Sequence, residues 1–418
     1  MENIRYPKYR WFVVLVMTLT VFSNAAIINI TPSPIVGEIA RSTGWQLGTA
    51  TAIIMGSFTF FVAIGCILTG FMLDIFGIAK TYLEACVLSA VGSFIVPIIG
   101  GSVVGMLFIR LLQGLGGGMV LGSAACVAGR WFPAEERGIV TGVHGAGIGL
   151  GVSVGLAVSP AVFAATGSWT ATMALMGIAP SIGIVLSLVL IFGPKAPTVE
   201  SAENAGQGAS NTEGMFQLVL KEPLFYLMIA VVFCFSWVQQ GYNAFIPGYL
   251  SVDTPSGLGM GALVAGSTFS VYSLAFMLGA LFCGFINRYI FKNNCKACIA
   301  FAFIVSAILH ASVLLPFVNA STTTLFVCFA AAGFFFGWCS PLIFAYLTMC
   351  YPIEVTGRVG GITQGIGTLG ATVGVSICSI VLNITGRYFA TILIFGTICL
   401  INFVLTFFFY KPNRFTKA

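Results

Sequence analysis

The sequence predicts an all-α membrane protein with 12 transmembrane helices, arranged as two pseudo-symmetric six-helix bundles with both termini in the cytoplasm. Charged residues form only 7% of the 418 residues and hydrophobic residues form 58%, whereas soluble domains carry about 25% charged residues. The apolar runs are roughly 20 residues long, which is the length that a helix needs to cross a bilayer. This composition excludes a soluble fold.

Glycine, proline and charged clusters divide the chain into 12 apolar segments. The first run begins at Trp11, is longer than the apolar part of a signal peptide and lacks a clear cleavage site, so we interpret it as a transmembrane helix. The predicted segments are 11–31, 47–73, 81–101, 104–129, 138–165, 169–193, 224–249, 260–286, 297–317, 322–350, 359–384 and 387–410.

The basic residues predict the orientation of these segments. With the N-terminus inside, 15 of the 18 Lys and Arg residues lie on the cytoplasmic side, Arg41 and Arg387 lie outside, and Arg110 lies within a helix. An excess of Lys and Arg in cytoplasmic loops is the usual pattern of membrane proteins. We therefore expect a multi-pass protein of the inner or plasma membrane, with both termini in the cytoplasm.

A polar gap separates the sixth and seventh segments. Residues 193–214 are small, polar and acidic, which predicts a mobile linker, and residues 215–223 have the pattern of a short amphipathic helix on the inner membrane surface. The predicted domains are an N-terminal six-helix bundle (1–193), a cytoplasmic linker (194–222) and a C-terminal six-helix bundle (223–418).

The two halves carry related sequences at a constant offset of 219 residues. GVHGAGIGLGVSVG (142–155) aligns with GITQGIGTLGATVG (361–374), and the two stretches share three glycines. Gly118 of the fourth segment likewise aligns with Gly337 of the tenth. An internal duplication of six helices is typical of transporters built from two related halves.

Three stretches resemble motifs of the major facilitator superfamily. GFMLDIFGIAK (70–80) resembles the loop between its helices 2 and 3, RLLQGLGGG (110–118) its helix 4 motif, and RWFPAEERG (130–138) the cytoplasmic segment that follows. The resemblance implies a secondary transporter that works by alternating access, with a substrate cavity between the halves lined mainly by helices 1, 4, 7 and 10. It also implies a cytoplasmic gate, and we assign to this gate Gly70, Asp74, Gly77, Arg137, Arg288, Glu354 and Arg358.

Two positions depart from this family pattern. Ile75 stands where the basic residue after Asp74 is usual, and Arg288 stands where the second half would carry the matching acid. Asp74 is expected to cap a helix of the second half and to pair with an arginine such as Arg137. The alternative is that these charges only solvate a loop.

Arg110 is the strongest candidate for chemistry within the membrane. Burying its guanidinium in hydrocarbon costs roughly 2.5–3.5 kcal/mol at a helix centre. Gln113 lies one turn away and a glycine face follows, which indicates a helix surface packed against other helices. The repeat places Phe329 at the equivalent position, so the charge is specific to the first half. Arg110 could bind substrate, couple the transport cycle or only shape the cavity.

Neutral side chains complete the candidate cavity. Aromatic rings with a few hydrogen-bonding groups are typical of pockets for small ligands, although each residue alone could be a packing contact. The candidates besides Arg110 are Gln113, Asn24, His144, Trp237, Gln240, Asn243, Tyr272, Trp338 and Gln364. We interpret His144 as a buried neutral side chain bonded to a backbone carbonyl, with a proton-carrying role as the alternative.

No other chemistry is indicated by the sequence. It shows no phosphate-binding loop, no metal-spaced histidines and no nucleophile motif, and its 12 cysteines are scattered singly apart from the pair Cys295 and Cys298. We therefore expect no enzyme activity, cofactor, metal or nucleic-acid partner, and a monomer in the lipid bilayer. No Asp or Glu lies deep in a predicted span, so no carboxylate proton relay is visible.

The favoured function is transport of a small organic anion, such as a monocarboxylate, or of a zwitterion. A single positive charge in the cavity would attract such a solute, and a divalent anion is disfavoured. Exchange, facilitated diffusion and symport with a coupling proton all fit the missing carboxylates. The alternatives are a transporter or exporter of a neutral or amphiphilic molecule and, in a different class, a transporter-like nutrient sensor.

Overall fold

The chain is helical, with short connections between the helices. The computed structural model describes residues 7–133, 136–194, 214–351 and 353–412, and within these ranges no strand occurs. The all-α prediction is therefore confirmed. Most of the predicted linker lies outside the described residues, and its described end forms a short helix over 214–220.

Twelve helices carry the fold of the described residues, and short breaks interrupt several of them. Those of the first half are α1 (Arg10–Thr43), α2 (Leu47–Thr69, helical as far as Ile75), α3 (Gly77–Phe94), α4 (Val103–Trp131), α5 (Arg137–Thr166) and α6 (Trp169–Ile191). Those of the second half are α7 (Pro223–Ser251), α8 (Ala262–Tyr289), α9 (Cys295–Ser312), α10 (Thr322–Cys350), α11 (Ile353–Thr385) and α12 (Tyr388–Phe407).

Among the described helices, 11 are long and apolar enough to cross a membrane. The exception is α3, which ends at Phe94, although the sequence predicted a segment over 81–101. Pro97 has no N–H to donate to the Ser93 carbonyl, so the helix stops there and a separate short helix, Val96–Ile99, follows. Lys80, near the start of α3, also lowers the mean hydropathy of the helix because its side chain is charged.

The first two helices are locally irregular. α1 contains a π-helical segment, Phe22–Ile27, and α2 contains another, Ala52–Gly56. π-helical turns are rare in proteins, and those that occur are often found at functional sites. Beyond its π segment, α1 passes through Pro32 into a 3-10 turn, Ser33–Ile35. These features change which carbonyls of α1 are available to other helices.

The chain forms two compact units. One comprises 1–197, 241–274 and 375–391, and the other comprises 198–240, 275–374 and 392–418. The first unit therefore joins α1–α6 with parts of α7, α8 and α11 and with the first turn of α12. The predicted division at a central linker into an N-terminal and a C-terminal bundle stays a prediction.

Glycines of α4 bring three helices of the first unit together. A Cβ added at Gly118 would lie 2.3 Å from the Val62 carbonyl oxygen of α2, and one at Gly116 would lie 2.4 Å from the Ala85 carbonyl oxygen of α3. Real Cβ atoms cannot approach so closely, so only glycine allows these helix contacts. The backbone of α4 is thus wedged between α2 and α3.

Glycines at repeated positions make comparable contacts in both halves. A Cβ at Gly151 of α5 would lie 2.5 Å from the Phe22 carbonyl oxygen of α1, and one at Gly370 of α11 would lie 2.0 Å from the Phe233 carbonyl oxygen of α7. In the second unit, Gly337 of α10 meets a carbonyl of α8 in the same way. Each glycine therefore contacts the corresponding helix of its own half.

Candidate functional site

Arg110 is fully buried in the first unit. Its Nη1 donates to the Ile28 carbonyl oxygen at 3.2 Å and to Gln113 Oε1 at 2.9 Å. The guanidinium carbon lies 5.7 Å from the centre of the Phe58 ring. Its Nε and Nη2 have no hydrogen-bond partner, and no Asp or Glu of the described residues forms an ion pair with it. The cation is thus held on one side and left unpaired on the other.

The Ile28 carbonyl is available because of Pro32. In an α-helix, the carbonyl of residue 28 accepts from the N–H of residue 32, and proline has no N–H. The neighbouring Ile27 carbonyl keeps its helical bond, from Thr31 N at 3.0 Å. Arg110 of α4 therefore binds the backbone acceptor that the proline leaves free in α1.

Gln113 links Arg110 to α3. Its Nε2 donates to Ser93 Oγ at 3.0 Å, and Ser93 Oγ donates to the Ser89 carbonyl at 2.8 Å. A Cβ at Gly92 would lie 2.8 Å from Gln113 Cγ, so the absence of a side chain there makes room for the glutamine. Four groups on α1, α3 and α4 thus form one hydrogen-bonded chain around the guanidinium.

Sequence reasoning identified Arg110 and Gln113 but missed their partners. The signal for Ile28 was present, since Pro32 marks the carbonyl four residues earlier as free. Ser93 and Phe58 carry no such signal, because their proximity depends on how α2 and α3 pack against α4. These contacts appear only in the folded chain.

The other polar candidates of the first unit are buried but do not contact Arg110. Asn24 donates to the Thr20 carbonyl at 2.9 Å and to Cys86 Sγ at 3.3 Å, and its Oδ1 has no partner. His144 Nε2 lies 3.4 Å from the Val120 carbonyl oxygen.

Asn243 and Tyr272, also in the first unit, have different surroundings. The Asn243 carbonyl accepts from Ser33 Oγ at 2.7 Å, while its side-chain Oδ1 has no partner. Tyr272 is packed among aromatic rings and stacks on Phe269 with ring centres 5.1 Å apart. Tyr272 therefore belongs to an aromatic cluster of α8.

The candidates of the second unit are aromatic packing residues and partly open polar residues. Trp237 lies against Gly374 and its Nε1 has no hydrogen-bond partner. Trp338 is buried among phenylalanines, with Phe335 4.9 Å away between ring centres. Gln240 is half-buried and Gln364 is exposed, and the Gln364 amide donates to Thr368 Oγ1 at 3.3 Å.

Only part of the predicted gate can be located. Gly77 has a φ of 74°, a left-handed conformation that favours glycine and separates α2 from α3. Arg137 donates from Nε to the Phe132 carbonyl at 3.3 Å, and the Arg288 guanidinium carbon lies 5.6 Å from the ring centre of its neighbour Tyr289. The remaining gate candidates, Gly70 and the side chains of Asp74, Glu354 and Arg358, lie outside what the structure describes.

A second polar feature of the first unit is an open cavity of about 610 Å³. Glu38, Arg41 and Asp253 lie in its wall, and Arg41 pairs with Glu38 at 3.0 Å and with Asp253 at 3.6 Å. Its lining includes none of the predicted cavity residues. Across the described ranges, no group of three or more His, Cys, Asp or Glu residues is placed to hold a metal ion.

Comparison with known proteins agrees with this architecture. The family model of the Major Facilitator Superfamily matches residues 13–309 and 254–418. The chain is 24% identical over 370 residues to a hexuronate transporter of Bacillus subtilis, covering 87% of this chain and 86% of the relative. It is 22% identical over 425 residues to a probable galactarate/D-glucarate transporter, GudP, of Escherichia coli, covering 96% and 92%.

A shorter match concerns another organic acid. The chain is 25% identical over 234 residues to a probable sulfoacetate transporter, SauU, of Cupriavidus necator, covering 52% of this chain and 51% of the relative. The family match extends over more than half of the chain, and most described helices could span a membrane. The chain therefore belongs to the major facilitator superfamily and is a multi-pass membrane transporter rather than an enzyme.

Proposed function

We propose that this protein transports a small organic anion with one carboxylate, by alternating access, and that Arg110 binds the carboxylate. The observation that carries the proposal is the buried guanidinium with two unpartnered nitrogens. A buried cation without an anion is costly, by several kcal/mol even after relaxation. An anionic substrate supplies the missing partner.

The free edge of Arg110 suits a carboxylate. Nη1 carries two N–H groups, and both have acceptors, namely the Ile28 carbonyl and Gln113 Oε1. Nε and Nη2 remain, and their N–H groups point in parallel along one edge of the planar guanidinium. A carboxylate accepts two such parallel hydrogen bonds, which is the strongest common mode of carboxylate recognition by arginine.

A monoanion fits this site better than a dianion. Arg110 was the one basic residue that the sequence placed within a span, and a second carboxylate would need a second cation or exposure to water. The Bacillus subtilis relative is a transporter of hexuronates, which carry one carboxylate. The Escherichia coli relative is a probable transporter of galactarate and D-glucarate, which carry two carboxylates, so a direct comparison of monocarboxylates with dianions tests this step.

The proposed architecture has 12 transmembrane helices, namely the 11 long apolar helices and α3. They form two pseudo-symmetric halves, and both termini lie in the cytoplasm. Support for α3 as a transmembrane helix comes from its 18 helical residues and from its close packing against Gly116 of α4 in the first unit. Support for two related halves comes from Gly151 and Gly370, which make comparable contacts in their own halves. Support for the orientation comes from the distribution of Lys and Arg.

The test is uptake and counterflow in proteoliposomes, with labelled D-glucuronate, L-lactate and pyruvate as monocarboxylates and D-glucarate and sulfoacetate as dianions. We expect at least one monocarboxylate to be transported and to compete better than either dianion. Arg110→Ala should abolish this uptake, and Arg110→Lys should weaken it strongly, because lysine is a point charge without the planar fork. Arg387→Ala is the matched control, since it removes an exposed arginine.

Two results would overturn the proposal. One is the absence of uptake for every carboxylate, together with uptake of a neutral or amphiphilic solute. The other is wild-type anion uptake in Arg110→Ala. Binding of an anion in a thermal-shift assay without any counterflow would instead favour a sensor.

A further inference from the structure

We propose that Pro32 and Ser93 are positioning residues that aim the free edge of Arg110 at the substrate carboxylate. This inference rests on the proposed function, in which that edge binds the anion. Neither residue contacts the substrate in this scheme. Pro32 supplies an acceptor on α1 for Nη1, and Ser93 determines which end of the Gln113 amide faces the guanidinium.

Pro32 acts through the carbonyl of Ile28. The neighbouring carbonyls of α1 have other donors, since Ile35 N donates to the Pro32 carbonyl at 3.2 Å and Ser159 Oγ of α5 donates to the Thr31 carbonyl at 2.6 Å. The Ile28 carbonyl would accept from residue 32 in an ordinary helix. With proline there, it accepts from Arg110 Nη1.

An alanine at position 32 would restore a competing donor. Its N–H lies on the same helix and is already in place, whereas the arginine must hold a long side chain in one rotamer to reach the carbonyl. The backbone donor would therefore share or take the acceptor. Arg110 would lose one of its two anchors while its charge and its sequence neighbours stayed the same.

Ser93 acts through the direction of a hydrogen-bond chain. Arginine has only donors, so Gln113 must present its Oε1 to Nη1, and its amide nitrogen must then find an acceptor elsewhere. Ser93 Oγ is that acceptor at 3.0 Å, because its own hydrogen is donated to the Ser89 carbonyl. Each hydrogen bond in this series thus determines which group donates and which accepts in the next one.

Removing the Ser93 hydroxyl removes the reason for this polarity. The Gln113 amide nitrogen would be buried without an acceptor, and a flipped amide would place N–H groups against the N–H groups of the guanidinium. A buried donor without a partner is strongly disfavoured. The Gln113 side chain would therefore rearrange, and Arg110 Nη1 would bind other acceptors. The Nε and Nη2 edge of Arg110 would then no longer face the substrate carboxylate.

The experiment compares KM and kcat for uptake of labelled D-glucuronate, or of labelled L-lactate if the wild type transports it faster. We expect Pro32→Ala and Ser93→Ala each to raise KM about tenfold, equivalent to about 1.4 kcal/mol of binding, with kcat changed less than about twofold. Ser93→Thr should restore KM, because threonine keeps the hydroxyl. Matched controls are Pro34→Ala, two residues along α1, and Ser306→Ala, an equally buried serine of α9.

An Arg110→Lys background separates positioning from a merely structural role. If Pro32 acts through Arg110, Pro32→Ala should change KM less than about twofold in that background, since the effects of coupled residues are not additive. An equal rise in both backgrounds, or a Pro32→Ala and Ser93→Ala pair that behaves like the controls, would overturn the inference. Uptake that survives Arg110→Ala would overturn the proposed function instead. If Pro32→Ala fails to fold, the Ser93 series decides alone.

Discussion

Replacing Gly48 by alanine is expected to push α2 away from α11 within the first unit. The added Cβ would lie 2.1 Å from the Ser379 carbonyl oxygen and 2.5 Å from Asn383 Oδ1, whereas non-bonded heavy atoms prefer about 3.5–4.0 Å. The Ser379 atom belongs to the backbone, so no rotamer change relieves that contact. The two helices must separate locally.

The size of the effect follows from the contacts beside Gly48. Asn383 Oδ1 accepts from Thr49 N at 3.2 Å, and Asn383 Nδ2 donates to Thr49 Oγ1 at 2.9 Å. Gln46 offers the start of α2 no side-chain cap, so Asn383 caps this helix from another part of the unit. Two hydrogen bonds contribute about 1–3 kcal/mol and overpacking costs about 1–3 kcal/mol, which gives about 2–6 kcal/mol in total.

Thermal unfolding of the detergent-solubilised protein measures this loss. A domain of 150–250 residues loses about 2–4 °C in Tm for each kcal/mol, so we expect Gly48→Ala to lower the apparent Tm by about 4 °C or more. Asn383→Ala removes the two hydrogen bonds without overpacking and should have a smaller effect.

Gly142→Ala is the matched control, because an added Cβ there has no heavy atom within 4 Å and alanine is the better helix former. Its Tm should be unchanged or raised. The reasoning is refuted if Gly48→Ala and Gly142→Ala have the same Tm as the wild type.

Two further substitutions probe other parts of the fold. Lys296→Met should lower the apparent Tm more than Lys296→Arg, since Nζ donates to two carbonyls at the end of α12 at 2.8 Å each and charged hydrogen bonds contribute about 1.5–3 kcal/mol. Gly151→Ala and Gly370→Ala should destabilise by similar amounts, because their Cβ atoms would meet the carbonyls of Phe22 and Phe233 at 2.5 Å and 2.0 Å. A large effect in one half alone, measured by the same unfolding assay, would contradict the equivalence of these contacts.

Hydropathy was sufficient to place most helices, because a bilayer imposes a minimum length of apolar sequence. Its weakest result was α3, where the apolar run continues past Phe94 but the hydrogen-bond ladder does not, since Pro97 lacks a donor. The π segments of α1 and α2 could not be foreseen at all. They depend on packing and carry no residue pattern of their own.

The candidate site shows the same division between local and tertiary information. Gln113 was predicted beside Arg110 because three residues separate them on one helix face, and the structure joins them at 2.9 Å. Ser93 belongs to another helix, and its approach depends on the missing side chain of Gly92. Asn24 stays a predicted cavity residue: its amide nitrogen donates to the Thr20 carbonyl and to Cys86 Sγ, and its Oδ1 has no partner. Spacing along one helix therefore predicted the contact between Arg110 and Gln113, whereas the contact with Ser93 required the folded chain.

Prolines account for two of the hydrogen bonds between helices of the first unit, at Ile28 and at Asn243. Among the carbonyls that lie four residues before a proline there, those of Ile28, Leu156 and Asn243 each meet a group from another helix. Ile28 accepts from Arg110, Asn243 accepts from Ser33, and the Leu156 carbonyl lies against Gly266, where an added Cβ would be 2.1 Å away. Membrane helices need such partners, because no water is present to satisfy a freed carbonyl.

Arg110 differs from these other partners in the donors that it has left. The Ser33 hydroxyl has one hydrogen, so binding the carbonyl of Asn243 uses its whole donor capacity. Arginine has five N–H groups, so after Ile28 and Gln113 are satisfied a charged edge remains. A residue needed only to satisfy the Ile28 carbonyl could be a serine or threonine, without the cost of a buried charge. The surplus donors are therefore the reason for the proposal that Arg110 binds the substrate carboxylate in addition to the helix contact.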